Sequence, residues 1–373
     1  MKTIMNYYFM TQSATNTLRA ILVCGLLFFY SFSASSQEEK RNSVNIGLCY
    51  PISNHGTLAG QYSNVFSFHA LVGISREETG FSLAGFSNII KENASGAQIA
   101  GFYNHVGRNS KGFLLGGFLN LYDSAYGAQI AGFSNIARGS VKGFQLSGFL
   151  NISKDQSATQ IAGFTNLAGK VKGFQMAGFF NKAEDVEGAQ IGGFINIAKN
   201  VKGFQLAGFI NIADTSDYSI ALINIIKSGE KSISVSTDET FTTLASFKSG
   251  GRVLYSIIGA GYNFKNDNYK YAMEGGIGAN LFNRNKYRLR AEAVALNLTD
   301  FDEGYYLRSS IRILPSFKLH NRLEIYAGPT INHVYTNSNE GKGMIKNYIW
   351  DNISGNQLNG AYVGLVGGLN LIL

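Results

Sequence analysis

Residues 203–213 read Gly203-Phe204-Gln205-Leu206-Ala207-Gly208-Phe209-Ile210-Asn211-Ile212-Ala213. Alternate positions fall into two sets. One holds Phe204, Leu206, Gly208, Ile210 and Ile212; the other holds Gln205, Ala207, Phe209, Asn211 and Ala213. A period of two puts successive side chains on opposite faces of a β-strand. The pattern G-[FA]-Q-[LI]-A-G-F-x-N-[IL]-A recurs over about 135 residues. Its central ring falls at Phe86, Phe102, Phe118, Phe133, Phe149, Phe164, Phe179, Phe194 and Phe209, in steps of 15 or 16. Asn follows two positions later at Asn88, Asn104, Asn120, Asn135, Asn151, Asn166, Asn181, Asn196 and Asn211. Gln precedes the ring by four at Gln98, Gln129, Gln145, Gln160, Gln175, Gln190 and Gln205. A degenerate tenth copy occupies residues 219–225. Nine copies in register make repetition the dominant signal of the chain.

Two subtypes alternate. Odd copies carry Phe before Gln, as at Phe144 and Phe204; even copies carry Ala, as at Ala97 and Ala189. The turns alternate too. Arg108, Arg138, Lys170 and Lys199 follow even copies, while Glu92, Asp123, Asp155, Glu184 and Asp214 follow odd ones. The superperiod is therefore about 30 residues, and two architectures account for it. In an antiparallel meander each copy is one strand, and basic and acidic turns gather on opposite rims. In a parallel solenoid, two copies make one coil, Asn stacks into ladders, and Phe209 and its equivalents form an apolar stripe in water. Stripes of that size are rare unless they bind something. Ten strand residues per copy also suit a lipid-spanning β-strand. The expectation is therefore an all-β, antiparallel up-and-down transmembrane β-barrel of about 18–20 strands. The alternative is a parallel β-solenoid with a smaller C-terminal barrel.

Beyond residue 227 the repeat fades and the alternation persists. Weak strands are expected at 232–236 and 241–247, and strong ones at 252–264, 269–282, 287–298, 305–318, 322–335 and 361–373. The longest connection, 336–360, carries Trp350, the single Trp of the chain, and is expected to be a surface loop. Strands at 43–52 and 64–74 precede the array. On this reading residues 37–373 form one barrel domain, made of N-terminal strands (37–78), the repeat array (79–226) and a C-terminal meander (227–373). The Gln, Asn and Phe positions given above, except Asn88, Asn120, Asn181, Phe86 and Phe118, are the candidate lining of a restricted lumen.

Arg19 precedes an apolar run over residues 20–32, followed by Ala34 and Ser36 before the charged 37–41. Residues 1–36 read as a cleaved signal peptide. The chain has 373 residues, 15% charged, with 44 Gly and only 3 Pro, and a formal net charge of +8. It is too apolar for disorder. No later run is long enough for a membrane helix. The basic charges sit in turns rather than on one face, so no nucleic-acid partner is expected. Outer-membrane lipid and the barrel-assembly machinery are the expected partners.

Chemical motifs are sparse. His55, His69, His105, His320 and His333 lie at no metal-ligand spacing, and no G-x-S-x-G elbow occurs. Gly259-Ala260-Gly261 lacks the third Gly of a dinucleotide loop. Glu274 and Glu292 fall on neighbouring strands, with Arg288 and Arg290 as the simplest partners for lumen charges. No enzyme activity, cofactor or metal is expected.

The G-x-Q-x-A-G-F-x-N array resembles the short-repeat surface repeat proteins of Gram-negative bacteria. That resemblance implies an outer-membrane or surface location and no defined chemistry. The final strand, with Val363, Leu365, Leu369 and Leu371 on one face, resembles the closing strand of outer-membrane β-barrels, although Leu373 departs from their aromatic last residue. The functional expectation is a pore-like or structural outer-membrane barrel with a restricted lumen. The alternative is a repeat-based adhesion or binding module carried by a β-barrel anchor.

Overall fold

Gln129 lies beside Gln145, and Gln145 beside Gln160, each on a neighbouring strand running in the same direction. Parallel, like-against-like register governs the whole repeat array. In the computed structural model, which describes residues 40–265, 269–301 and 305–373, each repeat is one complete coil of a β-solenoid. A coil consists of a longer strand such as Ser124–Ala131, a Gly-Phe corner, a shorter strand such as Ser134–Ala137, and a second corner. The shorter strands of eleven coils stack into one parallel sheet, from Val72–Ser75 to Ile223–Ile226. The longer strands form the facing sheet, from Tyr62–His69 to Thr215–Ile220.

This replaces the expected single barrel of 18–20 antiparallel strands. It also corrects the expected 30-residue coil, since one repeat closes one turn. Both differences come from the Gly-Phe pair, which alternation alone places in mid-strand. It is a corner, and a Cβ on Gly132 would collide with the carbonyl oxygen of Gly117 in the coil before. Glycine there lets two backbones approach at the bend. The first coil, Tyr62–His69 with Val72–Ser75, lacks the repeat signature because Ala70-Leu71 stands in place of Gly-Phe and Gly73 in place of Asn. Strand Lys40–Cys49 and the 3₁₀ turn Gly56–Gln61 cover this end, as a solenoid terminus requires.

After the solenoid, eight antiparallel strands close on themselves: Lys231–Asp238, Thr242–Gly250, Leu254–Asn263, Tyr271–Arg284, Tyr287–Thr299, Tyr306–His320, Leu323–Thr336 and Gln357–Ile372. The last pairs with the first through Ile233 and Leu371. These strands match the alternation-based expectation to within a few residues. The region 336–360 is less open than expected. It holds the short helix Asn339–Gly343 and the strand Trp350–Ser354, which pairs back onto Gln357–Ile372. Trp350 is exposed.

The two parts meet at the last coil. Tyr218 pairs with Leu254 in parallel, and Arg252 Nη2 lies 2.8 Å from Asp217 Oδ2. Asn224 Nδ2 donates to Ser249 O and Ser256 Oγ, both at 3.0 Å. The solenoid core thus abuts the barrel end that carries its short turns. The expected signal peptide, residues 1–36, lies outside the described residues.

Candidate functional site

The solenoid wears its apolar face outward. Gln205, Ala207, Asn211 and Ala213 are buried, whereas Leu206 and the corner rings face out. The interior of the coils takes mainly Ala, Val, Ser, Asn and Gln, with Ile90, Leu114 and Tyr122 as larger members.

Stacking pairs most of the buried amides with their own copies, which offsets the cost of desolvating them. Asn151 Nδ2 donates to Asn166 Oδ1 at 3.0 Å and to Ile161 O at 2.6 Å, and Asn151 Oδ1 accepts from Asn135 Nδ2 at 2.9 Å. The same two donations run without a break from Asn88 through Asn104, Asn120, Asn135, Asn151, Asn166, Asn181 and Asn196 to Asn211. Each Asn ties the short-strand sheet to the long-strand sheet of the next coil. The Gln ladder runs the opposite way: Gln205 donates to Gln190, Gln190 to Gln175, Gln175 to Gln160 and Gln160 to Gln145, at 2.8–2.9 Å. The ladder ends at Gln145, and Leu114 occupies the Gln position between Gln98 and Gln129. Gln98 turns to Ser95 O, Gln145 to Tyr122 Oη, and the Gln129 amide has no partner among the described residues. Burial pushes the Tyr122 hydroxyl pKa up, against the opposing Gln145 hydrogen bond.

The corner rings form the second feature. Phe86, Phe102, Phe118, Phe133, Phe149, Phe164, Phe179, Phe194 and Phe209 stack face to face, with centroids 4.8–5.1 Å apart and planes within 11°. Phe164 keeps 41% of its surface exposed. Their faces cover one another and their edges point outward. The candidate lining residues therefore share no lumen. Gln and Asn fill the solenoid core, and Phe forms an external ridge on one edge.

The opposite edge is charged. Basic and acidic corners do not separate to two rims, because every coil returns its corner to the same edge. They alternate along it instead, and Arg108 pairs with Glu92 at 3.7 Å, Lys199 with Glu184 at 3.1 Å and Lys227 with Asp214 at 2.6 Å. Like charges at the ~4.8 Å strand spacing would repel. The Phe/Ala alternation has a similar cause, since Ala128 sits between Phe113 and Phe144 on the outer face and leaves room for both rings.

At the first coils Glu78 is buried and accepts from Ser67 Oγ at 2.7 Å and Asn64 Nδ2 at 3.1 Å. Burial pushes its carboxyl pKa up to about 7, with those hydrogen bonds opposing. His105 accepts or donates a 3.0 Å hydrogen bond with Tyr103 Oη, and burial lowers its pKa, helped by Arg138. No three His, Cys, Asp or Glu side chains converge into a metal-holding group among the described residues.

The barrel is lined by charge. Arg290 and Arg288 hold the fully buried Glu324, the latter at 3.3 Å, and Arg288 also reaches Glu230 at 2.6 Å. Lys248 Nζ meets Glu292 Oε1 at 2.5 Å, Tyr255 Oη donates to the same oxygen at 2.8 Å, and Arg312 holds Glu274. Arg308 holds Asp238. Glu274 and Glu292 are thus neutralised by Arg312 and Lys248, not by Arg288 and Arg290. Eight strands enclose a space that side chains can fill, and Leu296, Leu314 and Tyr306 complete the filling. Sequence reading misses these pairs because their members lie 34 to 70 residues apart. Comparison with protein-family models, with curated proteins and with solved structures finds no match.

Proposed function

We propose that this chain is a repeat-based binding module of the cell envelope, with the eleven-coil solenoid as its interaction surface and the eight-stranded barrel as its anchor in the outer membrane. One observation carries the reading: the outer wall of the barrel is apolar, while ion pairs are enclosed within it beside a buried apolar cluster. Val363, Leu365, Ile311 and Ile331 on its wall are all about three-fifths exposed, between 59% and 65%. The ionised pairs Arg290–Glu324 and Lys248–Glu292 are enclosed. A barrel dissolved in water has the opposite arrangement, and a barrel in lipid has this one. The loops agree. Short turns lie at the solenoid end, and the longer connections, including 337–356, lie at the other, as they do in outer-membrane barrels.

The filled interior speaks against the pore-like reading, because ion pairs and large apolar side chains occupy the space that solute would need. An anchor needs no channel. Fractionation of expressing cells tests the proposal. The protein should sediment with the outer membrane, resist extraction by high salt, and migrate differently on gels before and after boiling. Recovery as a soluble periplasmic protein would overturn it.

A further inference from the structure

The phenylalanine ridge is left unexplained by an anchor at the other end of the chain. Leu71 and Leu222 continue it at the two terminal coils, both about half exposed, so it spans eleven corners. Ten steps at the ~4.8 Å strand spacing make it roughly 48 Å long. We infer that this ridge is a lipid-contacting edge, which lays the solenoid on the bilayer that holds the barrel, with its charged edge turned to water.

Three observations select lipid over other occupants. The ring faces are used up by stacking at 4.8–5.1 Å. A sugar or a planar ligand needs a ring face, and only hydrocarbon edges are on offer here. Next, the main-chain donors of the nine phenylalanine corners are paired. Phe118 N donates to Phe102 O at 2.8 Å, Leu119 N to the same oxygen at 3.0 Å, and Gly117 N to Ala100 O at 3.0 Å. Successive corners repeat this, which meets the condition that hydrocarbon imposes on any backbone it touches. A protein partner would instead be served by free polar groups around an apolar centre. Finally, charge lies away from the ridge, on the far edge, where Lys199–Glu184 and Lys227–Asp214 lie, and on the adjoining start of the long strands, where Lys142, Lys172, Glu187 and Lys202 form a row. An apolar edge opposite a charged one is the distribution of an interfacial element.

The inference rests on the barrel being lipid-embedded, and the test separates the two. Full-length protein carrying Trp350→Phe is reconstituted into phosphatidylcholine vesicles with brominated acyl chains. Single tryptophans are placed on the ridge (Phe133→Trp or Phe164→Trp), on the barrel wall (Val363→Trp) and on the charged edge (Glu184→Trp). Heat-modifiable migration verifies that each variant is folded. Strong quenching on ridge and wall, with the charged edge unquenched, is the expected result. Quenching on the wall alone would overturn the ridge assignment and leave the anchor standing. A ridge tryptophan that is blue-shifted yet unquenched would also overturn it, by showing a dry protein cover such as a second copy. An unquenched wall would overturn the anchor, and the ridge assignment with it.

Discussion

Asn151 donates one amide proton to Asn166 across 3.0 Å and the other to Ile161 O across 2.6 Å. A single side chain therefore joins two coils and both sheets. Asn151→Ala removes both donations, strands the Asn135 amide proton that Asn151 accepts, and opens a void. Each lost hydrogen bond removes about 1 kcal/mol, and each buried group left unpaired costs about 1–3 kcal/mol. We expect a loss of about 3–5 kcal/mol, read as a lower denaturant midpoint. Asn151→Leu should fare no better, because the partners above and below remain polar.

Ala158 stands at φ 105°, in the row where Gly143, Gly173 and Gly188 have φ of 128–137°. That conformation costs a residue with a Cβ about 1–3 kcal/mol. Ala158→Gly should therefore stabilise the protein by about 1 kcal/mol, with a raised thermal midpoint. Gly188→Ala should do the reverse and more strongly, since its Cβ would meet the carbonyl oxygen of Gly173.

Glu324 lies fully buried between Arg290 and Arg288. Glu324→Ala leaves two guanidinium groups enclosed with the partly exposed Glu230 as their remaining ion-pair contact. Breaking a buried pair on one side costs about 3–5 kcal/mol. The variant should lose heat-modifiable migration, or shift its unfolding to lower temperature. Glu324→Gln should lie between it and the parent, because the amide oxygen still accepts from one arginine while the amide NH2 cannot accept from the other.

Glu78 makes stability depend on pH. Its carboxyl titrates near 7 when folded, against 4.5 for an ordinary glutamate, through burial. The folded state then holds the proton over a range where the unfolded chain has released it. Stability from this group is complete below pH about 4.5 and falls as pH rises through about 7, by an amount on the order of 3 kcal/mol. Glu78→Gln should flatten that part of the pH–stability profile. An unchanged slope would refute the assignment.

The filled barrel predicts electrical silence. Reconstituted into planar bilayers, the protein should give no steps above baseline, and Glu324→Ala should give none either while Lys248–Glu292 and Arg312–Glu274 stay in place. Steady open-channel currents would show that the interior is not packed.

Much of this protein was legible along the chain. Alternation located all eight barrel strands, and the final strand faces as its pattern predicted: Val363, Leu365, Leu369 and Leu371 out, Tyr362 and Asn370 in. The repeat located nearly every coil and the residues that matter in it, though not their roles. Tertiary structure decided three things. It chose parallel over antiparallel pairing, because only like-to-like register lets Asn151 meet Asn135 and Asn166. It turned Gly132-Phe133 from mid-strand into a corner, because the bend depends on a carbonyl fifteen residues earlier in the chain. And it put Gln and Asn inside with Phe outside, because the corner turns the Phe ring away from the coil and a stacked amide finds its partner in its own copy. Period two fixes that two faces exist; which of them is the interior depends on what the neighbouring coil supplies.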